Sequence, residues 1–455
     1  PSILASVLFR SDGYHLGVGD CCDLARTSAL YPAAPIPAVS PRPVAAVAAE
    51  DTSAIHGYSP WRTLWPRYWW PSLPDGLHGK SRIALETSGS DVVGRHAYAA
   101  GIAFPRDNSG VTWSAAYEYR GLGLPILDAF ADQDWSLAGA IVDQGPPERT
   151  LSEIHQRSRD AEVTATWLRP RVRRSLSLTA GVGAEQTRNV LVPGLPSGVR
   201  LRDPSFLDAR TYPSVIAALG WSNAQRPPFS ISPEDGLAFA GTARERWRAD
   251  STAASSLSLV GTGSLYKSLD LPGYAHHVLA LRGAAGIVGV NNPGYLDVGG
   301  TSGTPVTLIA EYTLGEGRRT FGVRGFEAGS LLGDRALTGT IEYRAPLVRA
   351  GRGLGLLPVF FDRSSLTLFY DAGSAWCATI VAVGNLCTAD QQSAFDIGAR
   401  RWIAAAGAEL NITAAVLSWD SPYRFRFGVA HPVHADVLFG NPASVSWYFA
   451  TGLSF

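Results

Sequence analysis

The sequence has no methionine, only two lysines (Lys80 and Lys267), four cysteines and no surplus of either charge: 39 basic side chains balance 39 acidic ones over 455 residues. Charged residues make up 17%, against about 25% in an ordinary soluble domain. Phosphate binding rests on a basic surplus, so no nucleic-acid partner is expected. No run approaches the roughly 18 apolar residues of a transmembrane helix, which excludes that mode of crossing a membrane. Pro1 is not an initiator, and no basic stretch followed by an apolar core opens the chain. A processed or excised piece is therefore expected.

What is present is punctuation and aromatics: 48 Gly, 30 Pro, 13 Trp, 16 Tyr and 17 Phe. That much Gly and Pro argues against a helical bundle. Cys377 and Cys387 bracket a Gly- and Asn-containing loop. A disulfide there is expected; it would contribute roughly 2–3 kcal/mol by loop entropy and implies an oxidising compartment. Cys21 and Cys22 are adjacent, and incidental thiols or another role both remain open.

Three regions follow. Residues 1–20 read as one β-hairpin, with Ile3, Leu4, Val7 and Leu8 before a turn at Ser11–Asp12–Gly13 and Tyr14, Leu16 and Val18 after it. An isolated hairpin is marginal in water, so this one is expected to be the remnant of an upstream domain. Residues 21–80 form a Pro/Ala-rich linker followed by an aromatic segment. Pro32, Pro35, Pro37, Pro41 and Pro43 make the linker extended. Tyr58, Trp61, Trp65, Tyr68, Trp69 and Trp70 are interleaved with Pro60, Pro66 and Pro71, a spacing that predicts no regular helix. Such rings suit a membrane–water interface, or a proline-rich plug on a soluble core.

From residue 81 to 455 the pattern becomes segments of alternating polarity separated by turn residues. Sixteen are read: 81–88, 95–105, 111–120, 125–135, 149–157, 160–169, 174–187, 212–223, 234–247, 255–266, 275–288, 336–348, 365–376, 400–412, 422–433 and 445–455. An even number of strands about ten residues long, apolar outside and polar inside, is the signature of an all-β, 16-stranded antiparallel transmembrane β-barrel. Closure is also the only all-β way to satisfy every backbone group in lipid. In the last segment Val445, Trp447, Phe449, Leu453 and Phe455 share one face, opposite Ser446, Tyr448, Ala450, Gly452 and Ser454. In the segment before it Tyr423, Phe425, Phe427 and Val429 oppose Arg424, Arg426, Gly428 and Ala430. Arginine towards mid-bilayer lipid costs about 2–4 kcal/mol, so these two are expected to face a wet lumen. A soluble sandwich exposing Arg424, Arg426 and Glu409 is the competing fold.

One long gap, residues 289–335, separates the eleventh and twelfth segments; it holds Asn291–Asn292–Pro293–Gly294, Gly299–Gly300 and Thr320–Phe321–Gly322–Val323–Arg324–Gly325–Phe326. Loops of this length are usually functional. The glycine content argues against strands, and a Gly-flanked arginine suggests a loop that folds back and plants one cation inside. Leu337, Ile341, Tyr343 and Leu347 share one face, which turns Glu342 and Arg344 inward. Leu366, Leu368 and Tyr370 do the same for Asp371. Arg324 is thus expected to meet Asp371 and Glu342, unless it is a solvated turn residue.

These residues resemble the outer-membrane insertase and two-partner-secretion transporter superfamily, the bacterial surface antigen barrel. Val323–Arg324–Gly325–Phe326 resembles its loop-six signature, Glu342–Tyr343–Arg344 the Glu-x-Arg of its twelfth strand, and Phe369–Tyr370–Asp371–Ala372–Gly373 the Phe-x-Asp-x-Gly of its thirteenth. Phe455, with Trp447, Phe449 and Leu453, resembles an outer-membrane sorting signal. The resemblance covers residues 81–455. It implies a barrel in the bacterial outer membrane that assists insertion or translocation of polypeptides or lipids, without cofactor. Its implied partners are outer-membrane lipid and a polypeptide client or periplasmic partner, with the barrel monomeric. It also implies a lumenal loop lock of Val323, Arg324, Gly325, Phe326, Glu342, Arg344, Asp371 and Gly373. A passive outer-membrane pore, or an anchor displaying a periplasmic propeller, are the other functional readings. The family's POTRA repeats do not precede the first segment. Residues 1–80 instead resemble the last hairpin and linker of a periplasmic β-propeller, so the chain is expected to be the barrel end of a propeller–barrel fusion.

No nucleophile elbow, phosphate loop, His-Glu-x-x-His or calcium loop occurs, so no enzyme and no metal are expected. His431 and His434 have no third ligand nearby and are read as residues of a loop after segment fifteen. His276–His277 faces both sides of a strand, and Asp91, Gly94 and His96 mark a tight turn.

Overall fold

The chain was described as a computed structural model covering residues 3–10, 13–20, 58–72, 82–105, 110–143, 149–195, 204–249, 255–289, 295–303, 306–307, 313–314, 318–380, 387–416, 422–438 and 444–452. It divides into two units, Pro1–Ser59 and Pro60–Phe455. In the first, β1 (Ile3–Arg10) and β2 (Gly13–Asp20) form an antiparallel hairpin with Arg10 opposite Gly13.

Among the described residues of the second unit, sixteen antiparallel strands make one sheet. In chain order they are β3 (Trp70–Ser72), β4 (Ile83–Ser90), β5 (His96–Phe104), β6 (Thr112–Tyr119), β7 (Ile126–Asp143), β8 (Arg149–Arg171), β9 (Arg174–Val192), β10 (Arg210–Ser222), β11 (Gly236–Arg246), β12 (Ser256–Leu269), β13 (His277–Val288), β18 (Arg335–Leu354), β19 (Leu357–Trp376), β20 (Arg401–Val416), β21 (Tyr423–Ala435) and β22 (Ser446–Thr451). Four short strands fall between β13 and β18: β14 (Leu296–Val298) pairs with β17 (Leu331–Gly333), and β15 (Val306–Thr307) with β16 (Thr313–Leu314). Neighbours in the large sheet are consecutive in the chain except β13–β18, where the long loop intervenes, and β3 and β22 stand at its two ends.

The sixteen strands are not the sixteen segments read from the sequence. Segments 149–157 and 160–169 are one strand, β8, because Ser158 and Arg159 are not a turn but rungs of a ladder with Asp134 and Gln133. The remaining member is β3, inside the aromatic segment assigned to the linker, paired through Trp70–Glu86, Pro71–Leu85 and Ser72–Ala84. Proline lacks a ladder donor and is confined to edge strands, which is where Pro71 sits. A four-residue helix, Trp61–Leu64, also occupies that segment. The prolines permit one turn there because Pro60 precedes it and Pro66 comes only after its end. The long loop was expected to lack strands, yet it contains β14 to β17. His431 and His434 were expected in a loop but lie within β21; His434 stacks on Trp402 with ring centroids 3.8 Å apart.

The two faces of the sheet are inverted relative to a soluble protein. Leu337, Ile341, Phe427 and Trp447 are 55, 51, 49 and 81% exposed, whereas Glu342, Asp371, Glu409 and Arg426 are 2% exposed or less. The polar face is the covered one because the sheet curls over it. Arg424 of β21 donates to the carbonyl of Ile231 in the β10–β11 turn. In a flat sheet β21 and β11, six places apart, would lie about 29 Å from each other. Arg82 likewise reaches from the foot of β4 to Asp134 on β7 at 3.0 Å.

Under this curl the long loop builds a small apolar core against the wall. Val298, Phe321, Val323, Phe326 and Leu331 of the loop pack with Ala336, Ala375, Ile403 and Ala405 of the strands. A disulfide joins Cys377 to Cys387 just beyond β19.

Candidate functional site

Period-two alternation places Glu342 and Arg344 of β18, Phe369 and Asp371 of β19, Glu409 of β20 and Arg426 of β21 on the covered face. The loop brings Arg324 to them. Two glycines make the approach possible. Gly325 has φ +90°, and a Cβ there would lie 2.8 Å from Ala430 Cβ. A Cβ on Gly373 would lie 2.7 Å from Val298, 2.8 Å from Val323 and 3.0 Å from Thr338. Gly373 thus leaves the space that the loop fills.

Arg324 Nε donates to Asp371 Oδ2 at 2.7 Å and Nη2 to Oδ1 at 2.8 Å. The Arg324 backbone N–H also donates to Oδ2, at 3.1 Å. This fork-to-fork pairing fixes direction as well as energy. Arg324 Nη2 lies 2.8 Å from Glu342 Oε1, and Nη1 lies 3.7 Å from Glu409 Oε2. The guanidinium carbon stands 3.6 Å over the Phe369 ring, a cation–π contact strengthened by exclusion of water. Arg344 holds the other oxygen of Glu342 at 2.8 and 2.6 Å. Arg426 holds Glu409 through two bonds of 2.9 and 2.7 Å and donates to the loop carbonyl of Ser302 at 2.6 Å. Tyr448 of β22 donates to Glu409 Oε2 at 2.9 Å.

Three guanidiniums and three carboxylates therefore form one neutral, buried network reaching from the loop across β18 to β22. Each charge has opposite charges beside it, which offsets the several kcal/mol that desolvating an ion costs. Val323 and Phe326, 0 and 6% exposed, pin the loop on either side of the arginine.

Sequence reasoning placed Arg324 beside Asp371 and Glu342. It pointed Arg426 inward without a partner and did not bring Glu409 or Tyr448 to the site. The signal for Glu409 was its alternation with Asn411, but which acid meets which arginine depends on strand register. Trp447 and Phe449 lie on β22, Trp447 outward; Leu453 and Phe455 lie outside the described residues. Among the described residues no group of three or more His, Cys, Asp or Glu is placed to hold a metal.

Among solved structures the chain is similar to CdiB from Escherichia coli (TM-score 0.49, 11% identity, covering 84% of this chain and 61% of that one). It is also similar to BamA from Haemophilus ducreyi lacking POTRA domains 1-3 (0.47, 14%, 86% and 76%) and to CdiB from Acinetobacter baumannii (0.44, 11%, 84% and 58%). The chain thus spans less than two thirds of either CdiB. No family model and no curated protein matches it.

Proposed function

We propose that this chain is a monomeric barrel of the bacterial outer membrane that assists insertion or translocation of polypeptides or lipids, with no cofactor and no enzymatic step. The observation that carries the reading is the inverted partition of the sheet: leucines, isoleucines and aromatics outside, a charged network inside. Water would penalise an apolar surface of that extent; a bilayer rewards it. The Arg-loop, Glu-x-Arg and Phe-x-Asp-x-Gly resemblance supports the choice of polypeptide or lipid handling. A passive wide pore is disfavoured because the long loop and its network fill part of the covered space.

In this reading the sheet closes through its end strands, β3 and β22. Segment 81–88, the first of those read from the sequence, is not the end of the sheet. The end strand is instead β3, and Arg82 turns inward to Asp134. Among the described residues β3 is three residues long and contains a proline, which removes a ladder donor and weakens the seam. Opening it exposes an unpaired edge, onto which a client strand can add.

The test is a disulfide engineered between residues 70–72 and 446–451 in folded protein. The locked protein is expected to lose insertion of an unfolded barrel substrate into vesicles, and reduction to restore it. Full activity when locked would overturn the gating mechanism. A large, steady bilayer conductance in the unmodified protein would favour the passive pore.

A further inference from the structure

The turn between β10 and β11, residues 223–235, does not hang free at the end of its hairpin. Ser230, Ile231, Ser232 and Glu234 are all 5% exposed or less. What covers them comes from the far side of the sheet. Arg363 of β19 donates to the carbonyl of Ser230 at 2.6 Å and to that of Pro228 at 3.4 Å. Arg424 of β21 donates to the carbonyl of Ile231. Arg349 of β18 stands 3.9 Å over the ring of Phe229. Three strands thus grip four consecutive residues, 228–231, each with a guanidinium and each through a neutral group.

That arrangement is electrostatically lopsided. The surroundings of Arg424 hold Arg344, Arg226 and Arg426, with Glu409 as the acid; Glu409 is already taken up by Arg426 through two hydrogen bonds. Arg363 has Asp362 at 2.7 Å. The turn itself adds a further cation, Arg226, near Arg363 and Arg424. A chain with no net charge has therefore gathered a local surplus of arginines and set carbonyl oxygens against them. A carboxylate or phosphate meets a guanidinium with a full opposite charge and a matching pair of acceptors, whereas a carbonyl offers only a dipole. The occupant in place is thus weaker than an anion would be, and its own arginine opposes it.

We propose that residues 223–235 are a displaceable plug, seated at the β18–β19 hairpin end of the barrel in a site that accepts an anionic group, carboxylate or phosphate, on Arg349, Arg363 and Arg424. The feet of the plug are separately anchored. Gln225 bridges to Asp235, and Glu234 Oε2 lies 2.9 Å from His276 Nδ1 in the β12–β13 turn. Its tip can therefore leave while the strands stay paired. The inference rests on the barrel reading above.

The test uses the full chain folded in detergent, with Cys21→Ser and Cys22→Ser and a single Ser230→Cys, labelled by a water-soluble maleimide. Pro227→Cys, exposed and outside the four gripped residues, serves as reference. Ser230→Cys is expected to react slowly in chloride and faster in inorganic phosphate at equal ionic strength. In an Arg363→Ala/Arg424→Ala background it should react about tenfold faster, the scale of one or two lost net hydrogen bonds, and ignore phosphate. If that pair fails to fold, Phe229→Ala replaces it. Fast labelling in chloride would overturn the plug, slow labelling without the arginines would overturn the latch, and indifference of the intact site to phosphate would overturn the anion seat. A preparation with no heat-shifted gel band would instead refute the barrel. Anionic lipid vesicles in place of phosphate distinguish a headgroup from a free anion: acceleration by both assigns the seat to phosphate chemistry generally, and by phosphate alone to a soluble ligand.

Discussion

At the scale of single residues the site is a balance of three positive and three negative groups, so removing any one leaves a charge that burial penalises. Breaking a buried pair costs about 3–5 kcal/mol, less where water reaches it. Arg324→Ala and Asp371→Asn are each expected to lower the unfolding midpoint of the heat-shifted gel band in urea. The double variant should cost less than the sum, because both strand the same partner. Gly373→Ala is expected to destabilise by about 1–3 kcal/mol through overpacking, since its Cβ would press on Val298, Val323 and Thr338. A native midpoint in that variant would mean that the loop is not seated against β19. The core of this network was readable in advance because parity alone turns Glu342, Arg344 and Asp371 to the covered face. Arg426 meeting Glu409, and Tyr448 closing on it from β22, depend on register, which a single sequence encodes only weakly.

At the scale of elements the alternation located nearly every strand, and each miss has a physical cause. Ser158 and Arg159 look like a turn because both are polar, yet they lie on opposite faces of β8 and each finds a polar partner within the sheet, Asp160 for Ser158 and Gln133 for Arg159. Trp70–Pro71–Ser72 looks like linker because proline is excluded from interior strands; at an edge that exclusion lapses. The plug turn was missed altogether, since nothing local to residues 228–231 announces arginines contributed by strands more than a hundred residues away. Its anchor makes a prediction of its own. The Glu234 carboxylate holds the His276 imidazole above its ordinary value of 6.5. A raised histidine stabilises the folded state fully below the unfolded value, and loses that contribution as pH rises through the folded one. His276→Gln should therefore lower the thermal midpoint at pH 5.5, with the difference closing by pH 9. A gap that does not change with pH would show that the ion pair is not the anchor.

At the scale of the whole molecule the apolar exterior predicts behaviour that no soluble sandwich shares. The protein should stay monodisperse only in detergent or lipid, and migrate faster unheated than boiled. Reducing Cys377–Cys387 should leave that shift intact, because the disulfide closes a loop beyond β19 and bears no part of the ladder. The neutrality of the buried network has a further consequence, concerning electrical work. A balanced set of charges that moves as one body feels no net pull from a voltage across the membrane. If the loop withdraws alone, Asp297, Glu311, Glu316 and Glu327 travel with Arg318, Arg319 and Arg324 while the carboxylates of the wall stay, so a net of one negative charge crosses part of the field, at most about 2.3 kcal/mol per 100 mV. Loop withdrawal should therefore favour one polarity in a planar bilayer, whereas parting of the end strands should be indifferent to the sign of the applied potential.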